Sequence, residues 1–258
     1  MRTERVADGV YASIAEPGDV AVGNAGFVDL GGETVVFDTH ISLTAARTLR
    51  RAAEEQGPVQ TVVLSHWHGD HVFGAGAFDA RVVATARTAE LMRERTARRL
   101  AEMKATPPEE FADMPFAEIA RTELPSLELH HPDETFDDER MFGRATAITY
   151  GGGHTLSDAF LWLAYERIVF TANLVVANGQ PWAGDGDLDA WIGILERISD
   201  LEPATIVPGH GPVSDPGAIE VMLRYLDALR NATPGDPNPF PELAFPEMWE
   251  RNLQALTV

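Results

Sequence analysis

Three apolar runs in this chain end on histidine, and that arrangement limits the folds open to it more than any other feature. "VQTVVL" leads into "SHWHGDH" at residues 65–71, "ATAITY" into "GGGHT" and "ATIV" into "PGHG". The runs are short, rich in β-branched residues and bounded by Gly or Pro, as buried strands are. Ligand sites in α/β folds collect at the C-terminal ends of strands. A fold that accommodates all three runs therefore brings His66, His68, His71, His154, His210 and Asp70 towards one place.

The densest segment is "SHWHGDH", where His66 and His68 sit two apart and Asp70 and His71 follow. Imidazole nitrogens and a carboxylate on a loop after a strand are donors suited to Zn²⁺. The bland alternative is a solvated polar loop. The glycines before His154 let backbone approach closely after their strand. Because the chain has no cysteine, thiolate ligands, thiol nucleophiles, iron–sulfur clusters and disulfides are excluded.

The remaining pattern is mixed α/β. "GVYASIA", "AGFVDLG", "ETVVFDT", "RVVAT", "AFLWLA" and "RIVFTAN" read as further strands. Helical spacing predicts helices over 42–56, 86–104, 188–201 and 218–231, short helices within 105–125, and a last one after a Pro-rich tail. With 258 residues, 45% of them hydrophobic and no evident linker, the expectation is one domain over 1–258 with two related halves. The charge of −20, from 20 basic and 40 acidic residues, repels phosphate backbones and anionic lipid, so neither nucleic acid nor membrane is an expected partner. "MRTERVADGVYASIAEPGD" lacks a signal-peptide core and no run of eighteen apolar residues occurs, so a cytoplasmic location is expected.

The set HxHxDH, then GHT, then PGHG resembles the metallo-β-lactamase superfamily over nearly the whole chain, from "VFDT" to "VPGHGPV". The resemblance implies an αββα sandwich of two pseudo-symmetric halves, with the metal site at one edge between the sheets. It implies that His66, His68 and His154 form a first metal site and Asp70, His71 and His210 a second. Two zinc ions per chain follow, with one ion or another transition metal as alternatives. The implied activity is hydrolysis, by metal-bound hydroxide, of a small lactam, lactone, ester or thioester, with Asp70 orienting the nucleophile. β-Lactamase activity proper, or a catalytically weak metal-binding accessory role, are the rival readings. One position departs from the common pattern: Asn173 in "FTANL" stands where most binuclear members carry a bridging aspartate. A subclass of metallo-β-lactamases also lacks that carboxylate, so the departure does not by itself empty the site.

Around these ligands, Asp38 closes "TVVFD" and is either a hydrogen-bond partner of a ligand histidine or a turn residue. Thr155 and Asp158 are expected to fix the backbone around His154, His40 to lie at the surface, and His130 and His131 in an exposed loop. Trp67 and Trp182 are candidate walls of a pocket for a small-molecule substrate, against the common alternative of core packing. Residues 87–121 form a lid or an interface; Arg87 to Lys104 alone holds six of the twenty basic residues and could be an anion-attracting rim or a solvated face.

Overall fold

The computed structural model describes residues 1–16, 20–114 and 116–257. The first sheet has seven strands in chain order: β1 (Arg2–Ala7), β2 (Val10–Ile14), β3 (Ala25–Asp29), β4 (Thr34–Phe37), β5 (Val59–Val63), β6 (Arg81–Thr85) and β7 (Glu134–Phe136). The second comprises β8 (Glu139–Phe142), β9 (Ala145–Thr149), β10 (Ala159–Leu163), β11 (Ile168–Val176) and β12 (Thr205–His210), in the order β12-β11-β10-β9-β8. Each half of the chain thus builds one sheet. β4 to β7 are parallel, as are β11 and β12; the other pairings are antiparallel.

Strand alternation explains why the sheets stack. Phe37, Val63 and Val83 face inward against Leu161, Phe170 and Val207 of the second sheet. Their neighbours Val36, Val62 and Val82 point outward into a cluster with Leu49 of helix α1 (Leu43–Glu54). Both faces of β4, β5 and β6 are covered at their centres, so Val35–Phe37, Val62–Val63 and Val82–Ala84 are consecutive apolar residues rather than alternating ones. On the far side, Phe160 and Val169 pack against Trp191, Leu195, Tyr225, Leu226 and Trp249. The result is an αββα sandwich, as the sequence resemblance implies.

Six further helical segments bear on the site or close the core. They are α2 (Gly69–Val72), α3 (Ala86–Leu91), α4 (Ala97–Ala105), α5 (Ala117–Thr122), α6 (Leu188–Ser199) and α7 (Gly217–Asn231), followed by the terminal α8 (Met248–Ala255). The expected helix over 86–104 is interrupted by a π-helical turn at Met92–Thr96. Such wide turns often mark functional sites. Among the described residues no helix is long and apolar enough to cross a membrane.

Three strands escaped the sequence reading. β1 is largely exposed, β7 has three residues and β8 alternates exposed and half-buried positions, so none offers an apolar run. Edge strands commonly carry polar residues of this kind. The strand expected to end at Asn173 instead continues to Val176 and is buried along its length. His40 is a correction of a different sort. It is fully buried, with Nδ1 2.6 Å from the Gly23 carbonyl oxygen and Nε2 2.9 Å from Ser13 Oγ. Burial against β2 and the loop between β2 and β3 replaces the surface position expected for it. His130 and His131 are half-buried rather than exposed.

Candidate metal centre

The ends of β4, β5, β9 and β12 and the middle of β11 deliver the candidate side chains. His66 and His68 lie on the loop between β5 and α2, and Asp70 and His71 on α2 itself. His154 sits in the loop between β9 and β10, and His210 ends β12. They gather into two groups, His66/His68/His154 and Asp70/His71/His210, each with its ligand atoms within 4.8 Å of one another. The family resemblance groups these six residues in the same way.

Asp38 organises both groups from below. Its Oδ2 accepts hydrogen bonds from His71 Nδ1 and from Ser65 Oγ, both at 2.8 Å, and its Oδ1 accepts from Ser65 N at 2.8 Å. The single Ser65 hydroxyl proton goes to this carboxylate. Ser65 Oγ therefore accepts from His66 Nδ1, 2.8 Å away. His66 thus keeps its lone pair on Nε2, a buried atom with no hydrogen-bond partner among the described residues. Outer hydrogen bonds that fix the tautomer of a metal-binding histidine work in this way. Asp38 is buried at a left-handed φ of 59°, and Thr39 next to it donates through N and Oγ1 to the His71 carbonyl.

Asp185 serves His68 similarly, and the sequence reading did not select it. His68 Nε2 donates to Asp185 Oδ2 at 3.2 Å, which also accepts from Trp182 Nε1 at 2.7 Å. That leaves the lone pair of His68 on Nδ1, 3.1 Å from His154 Nε2. Three imidazole nitrogens thus converge with two lone pairs assigned by their outer partners. A cation among them satisfies what the protein's own hydrogen bonds leave open, and the nitrogen donors suit zinc. His154 is held by its loop: Asp158 Oδ2 accepts from Gly153 N and Thr155 N, as expected for that residue.

In the second group Asp70 Oδ2 lies 3.1 Å from His210 Nε2 and 3.4 Å from His71 Nε2. His210 Nδ1 lies 3.1 Å from the Val22 carbonyl oxygen and donates to it, aiming Nε2 at the site. A Cβ on Gly23 would come within 2.9 Å of the His71 ring, so that position keeps the space beside Nε2 open.

Asn173 borders the first group: its Nδ2 lies 3.3 Å from His154 Nε2, and its Oδ1 is buried without a hydrogen-bond partner among the described residues. A bulge aims it there. Between Phe170 and Ala172 the register of β11 against β12 slips, and Ala172 adopts φ 45°. Gly209 of the neighbouring strand fits because a Cβ there would lie 2.2 Å from Asn173 Oδ1.

Electrostatics separate the groups. Burial, then the charges of His71, His68 and His154, hold His66 well below the usual histidine range. Burial, then His68 and His71, does the same to His154. Both are neutral at pH 7 and ready as ligands. Burial also opposes charge on His71, but Asp70 and Asp38 outweigh it and raise that imidazole to about 10. Burial works against ionisation of Asp70 too, and His71 with the hydrogen bond from His210 overcomes it, holding the carboxyl well below its usual range. Against burial, His68 and Trp182 hold Asp185 down to about 2.

These shifts set a pH window for the metal-free protein. The depressed His66 and His154 stabilise less as pH falls below the unfolded value of 6.5, where the unfolded chain binds protons that the fold does not. The raised His71 stabilises fully below 6.5 and loses that contribution as pH rises through about 10. From these three groups the thermal midpoint of metal-free protein should be highest near pH 6.5 and decline both below it and on the way up to about 10. A midpoint that keeps rising below pH 6 would contradict the assignment of His66 and His154 as neutral.

A cavity of about 650 Å³ opens beside His68 and Asp70, and Trp67 and Trp182 both line it. Trp67 is buried and Trp182 half-buried, so the first also serves the core. The helical segment 86–105 forms another wall. Its π turn places Thr96 Oγ1 to donate to the Trp67 carbonyl at 2.6 Å, and Arg95 over the Trp67 ring at 5.6 Å. Phe116 lines the same cavity, so part of the stretch 87–121 borders it; Pro115 lies outside the described residues.

Residues 18–210 match the sequence profile of the metallo-beta-lactamase superfamily. A Beta-lactamase-like protein 2 homolog of Caenorhabditis elegans is 26% identical over 176 residues, covering 68% of this chain and 50% of that protein. The Metallo-beta-lactamase type 2 of Bacteroides fragilis is 26% identical over 183 residues, covering 66% of this chain and 62% of that protein. The chain thus spans less than two thirds of the length of either relative. The crystal structure of a metallo beta lactamase from Hirschia baltica superposes with a TM-score of 0.67 at 15% identity, covering 86% of this chain and 96% of that one. Taken with the layered fold and the two donor groups at its edge, the match establishes that the chain belongs to the metallo-beta-lactamase superfamily.

Proposed function

We propose that the protein is a zinc-dependent hydrolase that adds water to the carbonyl carbon of a small lactam, lactone, ester or thioester and breaks its acyl C–N, C–O or C–S bond. The observation that carries this reading is the pair of adjoining donor groups, with the outer nitrogens of His66, His68 and His71 tied to carboxylate-anchored partners. His66, His68 and His154 would hold one ion and Asp70, His71 and His210 a second. Bound there, zinc supplies Lewis-acid polarisation of a carbonyl oxygen and lowers the pKa of water to about 7.

The chain's own residues do the rest. His71 gives up its Nε2 proton when that nitrogen becomes a ligand, while Asp38 retains the proton on Nδ1. Asp70 stays ionised, and its carboxylate accepts a hydrogen bond from the attacking water and fixes its line of approach. Trp67 and Trp182 bound the cavity in which the acyl group lies. The test is a panel of β-lactams, lactones, esters and thioesters offered to zinc-loaded protein. Turnover of at least one class is expected; silence across the panel with zinc fully bound would contradict the hydrolase reading. The Bacteroides fragilis relative is named as a β-lactamase, which makes the lactams the first class to examine.

Asn173 supplies a neutral amide where a bridging carboxylate would add charge. Asn173→Asp is expected to tighten binding at the Asp70/His71/His210 group by roughly tenfold, the scale of one added charge contact. Unchanged zinc affinity in that variant would remove Asn173 from the metal-facing set.

A further inference from the structure

We infer that the substrate carries an anionic group, a carboxylate or a phosphate, and that Arg99 and Arg251 hold it at the outer end of the cavity. The inference rests on the hydrolase reading of the site but draws on different residues. A chain of net charge −20 repels an anion on average. The cavity beside the metal centre is an exception, because Arg95, Arg98, Arg99 and Arg251 all line it.

The four guanidiniums are not equivalent. Arg95 lies 3.5 Å from Asp185 and belongs to the support of His68. Arg98 faces Glu102 at 3.9 Å, and Glu102 also lines the cavity. Arg99 and Arg251, by contrast, have no carboxylate within ion-pair distance among the described residues. Most of the arginines on the remaining surface do have one, as expected where acids outnumber bases two to one.

Arg99 and Arg251 reach the cavity from two elements far apart in the sequence. Arg99 stands on α4, while Arg251 stands on α8 with its guanidinium 6.0 Å from the centroid of Trp182. Both are exposed, whereas His68, Asp70 and Trp67 line the inner, less exposed part. The remaining acids at the cavity, Asp70 and Asp185, are engaged by the histidines. A ligand with its carbonyl at the histidines and an anionic tail therefore meets opposite charge where it leaves the cavity. Arginine's planar fork matches the oxygen geometry of carboxylate and phosphate alike.

The test measures binding without turnover. Non-hydrolysable thioether analogues of one acyl thioester are prepared with a neutral amide, a carboxylate or a phosphate tail. Their affinities for zinc-loaded wild type, Arg99→Gln, Arg251→Gln and the double variant are measured by calorimetry at low and high salt. Wild type should bind an anionic tail about tenfold or more tightly than the neutral one, with the preference falling as salt rises. The double variant should lose that preference and bind all three alike. The tail that gains most separates a carboxylate from a phosphate ligand. Equal affinity of wild type for all three tails, no binding of any analogue, or an undiminished preference in the double variant would overturn the proposal. A protein that discriminates the tails but hydrolyses nothing would contradict the hydrolase reading and leave the anion clamp standing.

Discussion

Replacing Asp38 by Asn should weaken zinc binding at the Asp70/His71/His210 group by 10- to 100-fold, although Asp38 is not itself in either ligand triad. Asparagine keeps the shape of the side chain and tolerates the left-handed backbone at this position. What changes is one atom. Where Asp38 Oδ2 accepts from His71 Nδ1 and Ser65 Oγ, an amide nitrogen would present protons to both donors. His71 then relieves the clash by giving up its Nδ1 proton and keeping the one on Nε2, the nitrogen needed by a metal. Ser65 turns its hydroxyl proton towards His66 Nδ1, which shifts the tautomer of that ring as well. The same change removes one of the two carboxylates that raise His71 to about 10, so its titration should move down. A buried mispaired group also costs about 1–3 kcal/mol of stability. Zinc affinity equal to wild type in a folded Asp38→Asn protein would show that Asp38 only closes a turn.

His66→Ala should abolish hydrolysis while leaving the fold intact. His66 is buried under the site, and among the described residues its Nε2 has no hydrogen-bond partner, so the side-chain hydrogen bond lost there is that to Ser65. The first donor group falls from three nitrogens to two. Lewis-acid stabilisation amounts to several kcal/mol, and at about 1.36 kcal/mol per tenfold its loss corresponds to ~10³-fold or more. Circular dichroism and a cooperative thermal transition would confirm that the variant is folded. Turnover within tenfold of wild type would place the chemistry elsewhere.

The candidate ligand residues are legible because their chemistry is local. "SHWHGDH", "GGGHT" and "PGHG" each follow an apolar strand, and a strand end fixes where its next few residues go. The supports were harder to read because they act across long separations. Ser65 next to the first motif, and Asp185 three residues after Trp182, carry no spacing signal of their own. Asp185 reaches His68 over 117 positions, and no periodicity encodes that contact. His40 fell on the wrong side of the surface for the same reason. Its burial depends on Ser13 and Gly23, two residues brought over it by β2 and the loop that follows. Asn173 was placed in the cleft by its resemblance to a known position, but its aim depends on the backbone bulge at Ala172, which the sequence does not announce.

Zinc stoichiometry decides whether these six side chains form two adjoining metal sites. Competitive titration of metal-free protein against a chromophoric chelator should give two equivalents of zinc per chain. Asp70→Ala should reduce this to one, with the His66/His68/His154 group still filled. No binding by the wild-type chain, or two equivalents retained in Asp70→Ala, would contradict the account.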